Sequence, residues 1–166
     1  MYKVASAICV SGVLLAGAMA ARAEISWQPR PPDIRDLDGH YYYVWGMKLA
    51  VPEGQTIVEA SLFFDNIRSL GTMPNALYVH LLPDAPLGLR QYTDSPGDRN
   101  AFVGQGIQLV TYSNLPGTPQ ALTYNFTGAQ LNALASYGAD GNFAIGLDPD
   151  SHFSNDGVSL RPRRRA

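Results

Sequence analysis

The chain has 166 residues, one cysteine, 10% aromatic residues and a formal net charge of −2. That length suits one domain with a core of its own. Residues 24–160 hold 14 acids against six Lys and Arg, a balance that repels nucleic acid and suits cations.

Met1-Tyr2-Lys3 gives a short positive start, and Val4 to Ala20 is an almost uncharged run of Ala, Val, Leu, Ile, Gly and Ser. Ala21-Arg22-Ala23 supplies the small-x-small pattern of a signal-peptidase site. Residues 1–23 therefore read as a signal peptide cleaved before Glu24, which places the mature chain outside the cytoplasm, secreted or periplasmic. An uncleaved anchor is the competing reading, but the apolar run is at the short end for a bilayer span. Without Cys9 the mature chain has no cysteine and no transmembrane segment is expected in it. Its stability must then come from its own core or from bound ions.

Residues 24–38 read as an extended leader, because Pro29, Pro31 and Pro32 cannot donate ladder hydrogen bonds. A domain over 39–161 follows. His40 to Val51 reads as its first strand and Thr56 to Ile67 as the next, with Ile57, Ala60, Leu62 and Phe64 available for a buried face. Asn75 to Leu82 has strand-type residues and none of the spacing of an amphipathic helix. Pro83 to Asn100 reads as a long loop. Ala101 to Ser113 reads as a strand in which Gly104 and Gly106 mark a bulge or a close approach. A further strand covers Gln120 to Phe126.

Thr127 to Tyr137 is the one convincing helix. Thr127 caps it, Gln130 completes a capping box, and Gly138 stops it. Asn142 to Leu147 and Gly157 to Arg161 read as closing strands, and 162–166 as a solvated basic tail. Many short strands with Pro and Gly punctuation predict an all-β fold, an antiparallel β-sandwich of jelly-roll type with one short helix near 128–137.

Two clusters carry candidate chemistry. Asp148-Pro149-Asp150-Ser151-His152-Phe153-Ser154-Asn155-Asp156-Gly157 is the densest polar stretch. Asp148, Asp150, Asn155 and Asp156 offer the hard oxygens that calcium prefers, completed by Asp65 or Asn66 from another strand end. The spacing is not that of an EF-hand. The same pattern also fits a turn whose Asp and Asn side chains bond their own backbone. His40, His80 and His152 lack the local spacing of zinc ligands. In the other cluster, Tyr41, Tyr42, Tyr43 and Trp45 crowd one strand whose faces alternate. Tyr41, Tyr43 and Trp45 are the candidate stacking platform for a sugar ring, and the competing reading puts these rings in the core.

Val58-Glu59-Ala60-Ser61-Leu62-Phe63-Phe64, Thr123-Tyr124-Asn125-Phe126-Thr127 with its following helix, Asn142 to Leu147, and Asp156-Gly157-Val158-Ser159-Leu160 come in an order that resembles a known family. It is similar to the jelly-roll, galactose-binding-like sandwiches, carbohydrate-binding modules among them, that serve as accessory domains of secreted bacterial proteins. The resemblance implies a sandwich, a structural calcium and glycan binding. One departure is the end of the chain, where no hydrophobic helix precedes the final arginines as it does in surface-sorting tails. The expected function is a non-enzymatic exported module for glycan or extracellular-matrix binding. The alternatives are a polysaccharide hydrolase using the acids of the 148–156 loop with His152, and a purely structural module.

Overall fold

The computed structural model describes residues 26–29, 34, 36–49, 51–94 and 100–165. The expected signal peptide and its cleavage point lie outside the described residues, as does about half of the expected leader. Of the rest, Trp27 bridges Leu160, and Ile34 and Leu37 are buried in the core, so this stretch packs into the domain rather than preceding it. In chain order the elements are β1 (Asp36–Leu37), β2 (Tyr41–Lys48), β3 (Thr56–Ser69), β4 (Ala76–Leu82) and β5 (Gly88–Thr93). Then come β6 (Ile107–Ser113), β7 (Gln120–Asn125), α1 (Gly128–Asp140), β8 (Asn142–Pro149), β9 (Phe153–Ser154) and β10 (Gly157–Arg165).

The strands form two antiparallel five-stranded sheets, so the fold is an all-β sandwich with one helix. In the first sheet β3 is the hub. One edge pairs β10 and then β9, which carries β1, and the other pairs β7. The second sheet runs β5-β2-β8-β4-β6.

Alternation along the strands decides what lies between the sheets. Ala60, Leu62 and Phe64 of β3 point inward as expected, with Val158 and Leu160 of β10 beside them. Tyr43, Trp45 and Met47 of β2, Leu77, Val79 and Leu81 of β4, and Phe143, Ile145 and Leu147 of β8 face them from the second sheet. A smaller cluster of Val44, Leu82, Ala85, Phe102 and Ala144 lies apart from this core. By alternation it occupies the outer face of the second sheet.

The helix begins as the sequence predicts. Thr127 Oγ accepts from Gln130 N, and Thr127 N donates to Gln130 Oε1. It runs past Gly138, however, and ends at Gly141, whose φ of 136° suits only glycine. Gly138 serves packing instead. A Cβ there would come within 2.8 Å of Leu49 Cδ2, so its absence lets the helix seat against Leu49.

Three other expectations change. The long loop contains β5, an edge strand whose mostly exposed residues give no hydrophobic signal. Residues 101–106 are turns, and the strand starts only at Ile107. Gly106 does make a close approach, since a Cβ there would lie 2.1 Å from the Leu81 carbonyl oxygen. The basic tail is not free, because β10 stays paired with β3 as far as Arg165. Pro162 is tolerated there because β3 lies on only one side of that stretch. Among the described residues no helix is long and apolar enough to cross a membrane.

Candidate functional site

The aromatic platform faces the opposite way from the sequence expectation. Tyr43 and Trp45 are 5% and 3% exposed and sit between the sheets, and half-buried Tyr41 packs against the same core. The Tyr43 hydroxyl accepts from Asp38 N and donates to the Asp36 carbonyl, so it is fully engaged inside. Alternation shows that β2 has two faces, but not which of them meets the core. The larger rings fill the interior. Gly46 lies on the other face, where the Pro86 carbonyl would sit 1.9 Å from a Cβ.

That other face presents Tyr42. Its ring stacks on Tyr92 of β5 with centroids 5.1 Å apart and planes 17° from parallel. Tyr92 is 39% exposed, on the edge strand. Tyr42 and Tyr92 are register partners, and on the far side Tyr78 of β4 is opposite both Asp148 and Thr111. Continuing the pairing of β2 with β8 by one residue brings Tyr42 beside Asp148. A row of Tyr92, Tyr42, Asp148, Tyr78 and Thr111 thus crosses the outer face of the second sheet.

The neighbouring row is Arg90, Val44, Gly146, His80 and Gln108. Phe102 from the 100–106 turns lies over its middle. Its ring would come within 2.8 Å of a Cβ at 146, and it meets Tyr42 edge-on at 5.4 Å. Sequence reasoning missed this cover, although Gly146 in an otherwise bulky strand was a signal of close approach.

Buried polar groups pin the cover down. His80 is 3% exposed; its Nδ1 lies 3.2 Å from the Gln105 carbonyl and its Nε2 lies 2.9 Å from Asn100 Nδ2. A neutral ring donating from Nδ1 and accepting at Nε2 satisfies both contacts, and burial lowers the His80 pKa in the same sense. Asp148 Oδ2 accepts from Ala101 N at 2.7 Å. Asp148 is itself 3% exposed. Burial, with Asp94 and Asp150 close by, raises its pKa to about 6.

The four expected metal ligands do not converge. Asp148 reaches the cover, while Asp150 Oδ1 accepts from Ala76 N at 2.6 Å. Asn155 donates to the Ile34 carbonyl and accepts from Gly157 N. Asp156 Oδ2 accepts from Asn66 Nδ2 at 2.7 Å, so Asn66 does arrive from another strand end, as a hydrogen-bond partner. Among the described residues no group of three or more His, Cys, Asp or Glu is arranged to hold a metal ion. The histidines are likewise apart. His40 bonds Asp38 at 2.7 Å, and His152 lies 3.7 Å from Asp36.

The first sheet offers a different surface. On its outer face, Arg163 pairs with Glu59 at 2.6 Å, and Arg161 lies over the Phe63 ring. Glu59, Arg161 and Arg163 border a groove of about 550 Å3 that Ser61 and Asn125 also line and that reaches Phe126 and, in α1, Leu131.

No family model matches the chain, and no curated protein matches it. Among solved structures it is similar to the CBM22-1-GH10 modules of the Clostridium thermocellum N-terminal endo-1,4-beta-D-xylanase 10B, solved in complex with xylohexaose. The identity is 12% and the TM-score 0.31, over 75% of this chain and 17% of that one, so the chain spans under a fifth of that structure's length.

Proposed function

We propose that the protein is an exported, non-enzymatic module that binds glycan on the outer face of the second sheet. The observation that carries this reading is the Tyr42–Tyr92 stack, an aromatic surface on the open side of the sandwich. Sugar rings have apolar C–H faces that rest on such rings, and the nearby Tyr78 and Thr111 hydroxyls in the same row suit sugar hydroxyls. The acidic loop supports binding over hydrolysis. Asp148, Asp150 and Asp156 each accept a hydrogen bond from a different part of the fold, and Asp148 is buried. A hydrolase needs two carboxyl groups facing one substrate bond, whereas Asp148 is buried and hydrogen-bonded to Asp94.

A glycan array run beside hydrolysis assays on the same glycans tests this. Saturable binding without turnover is expected. Tyr92→Ala should weaken binding at least tenfold while lowering the melting temperature by no more than about 5 °C from the lost stack on Tyr42. Equal binding by Tyr92→Ala, or turnover abolished by Asp148→Asn with the fold intact, would refute the assignment.

A further inference from the structure

The geometry points to a second binding site, the groove on the outer face of the first sheet, which takes a carboxylate-bearing saccharide (a uronate) with Arg161 as its anchor. The groove's volume, about 550 Å3, lies within the usual range for small-ligand sites. Asn125 of β7, Ser61 of β3 and Arg161 of β10 are register partners, so three strands supply one row across it. With strands about 4.8 Å apart the row spans roughly 10 Å, about the length of two sugar units.

Arg161 is held in place before any ligand arrives. Its Nε donates to Ser159 Oγ at 3.1 Å, and its guanidinium carbon lies 4.4 Å from the Phe63 ring centre. Among the described residues no carboxylate forms an ion pair with it. A planar guanidinium fixed along one edge and one face keeps its Nη groups for a bidentate carboxylate. Arg163, two residues on, is instead engaged by Glu59 at 2.6 Å.

That pair sets the ligand class. Arg163 is taken up by Glu59, so Arg161 is the guanidinium lining the groove that has no carboxylate partner among the described residues. A polyphosphate or densely sulfated chain needs several such cations and would compete with Glu59 for Arg163, whereas a single carboxylate on Arg161 leaves the Glu59–Arg163 pair intact. The Asn125 amide and the Ser61 hydroxyl, beside Arg161 in the row, offer the donors and acceptors that sugar hydroxyls match. The groove is on the outside of one sheet and the Tyr42–Tyr92 stack on the outside of the other, so this site stands or falls separately from the aromatic one.

Calorimetric titration of the purified protein tests it, with hexamers of galacturonate and of glucuronate, their methyl esters, and a sulfated oligosaccharide of equal length. At least one uronate hexamer should bind saturably, and its methyl ester at least tenfold more weakly. Arg161→Gln should lose at least tenfold. Arg161→Lys should also lose affinity, because an ammonium keeps the charge but not the fork. Tyr92→Ala should change nothing here. If Arg161→Gln does not fold, the Ser61→Ala, Asn125→Ala double variant replaces it and should lose severalfold. No binding of either uronate, equal binding of the methyl ester, tighter binding of the sulfated chain, or an unchanged affinity in these groove variants would overturn the proposal.

Discussion

At the scale of a single residue, Asp148 is a carboxyl group taken almost wholly out of water. It holds the 100–106 cover through Ala101 N, is 3% exposed, and shares a side-chain hydrogen bond with Asp94. That bond needs a proton between two carboxyl groups. Burial and the two nearby acids raise its pKa to about 6 in the folded protein, against about 3.9 in an unfolded chain. The folded state therefore keeps a proton that the unfolded state has released. The group's contribution to stability is fully present below about pH 4 and is lost as pH rises through about 6. At 1.36 kcal/mol per pKa unit, the difference is of order 2–3 kcal/mol by pH 7. Asp148→Asn keeps an acceptor for Ala101 N and a donor for Asp94 but cannot ionise. Urea melts at pH 4, 5.5 and 7.5 should show the variant gaining on the parent protein as pH rises. Parallel pH dependences would mean that Asp148 ionises as freely folded as unfolded.

At the scale of elements, β10 carries the clearest surprise. Arg163, Arg164 and Arg165 read as a solvated tail, yet they pair with β3. The exposed Glu59–Arg163 ion pair does not explain this, since such pairs contribute about 0–1 kcal/mol. The ladder bonds and the cover that Pro162 gives the β3 edge are the larger effect. Deleting residues 162–166 should therefore lower the melting temperature by about 10 °C, from roughly 2–4 kcal/mol of lost pairing. Arg163→Ala alone should cost under about 1 kcal/mol. A deletion with no thermal effect would restore the free tail. The same contrast shows what was legible in the sequence. Strands with a buried side, such as β3 and β8, announce themselves by apolar alternation, and α1 by its capping box. Edge elements do not. In β5 and the end of β10 the stabilising partner is another strand's backbone, which leaves no hydrophobic pattern. The candidate site was half legible for a related reason. Aromatic crowding on β2 marked the strand, but only the packing of the second sheet shows that Tyr42, rather than Tyr43 or Trp45, remains outside.

At the scale of the whole molecule, an acidic sandwich without disulfides invites the idea that calcium holds it together. The placement of the acids argues against a gain from the ion. Bringing Asp148 and Asp150 to a common cation would take their oxygens from Ala101 N and Ala76 N, whose bonds are 2.7 and 2.6 Å long. Leaving a backbone N–H unsatisfied costs about 1–3 kcal/mol, so two such losses come to about 2–6 kcal/mol. That cost enters the dissociation constant itself and raises it by a factor of about 30 to 20,000, so calcium at ordinary concentrations adds little to stability. Melting curves in chelator, in calcium and in magnesium should therefore coincide within about 1 °C, which is under 1 kcal/mol for a domain of this size. A calcium-specific rise of 5 °C or more that disappears in Asp150→Asn would show instead that the loop gives up its backbone partners to gather around the ion, and that calcium belongs to the folded state.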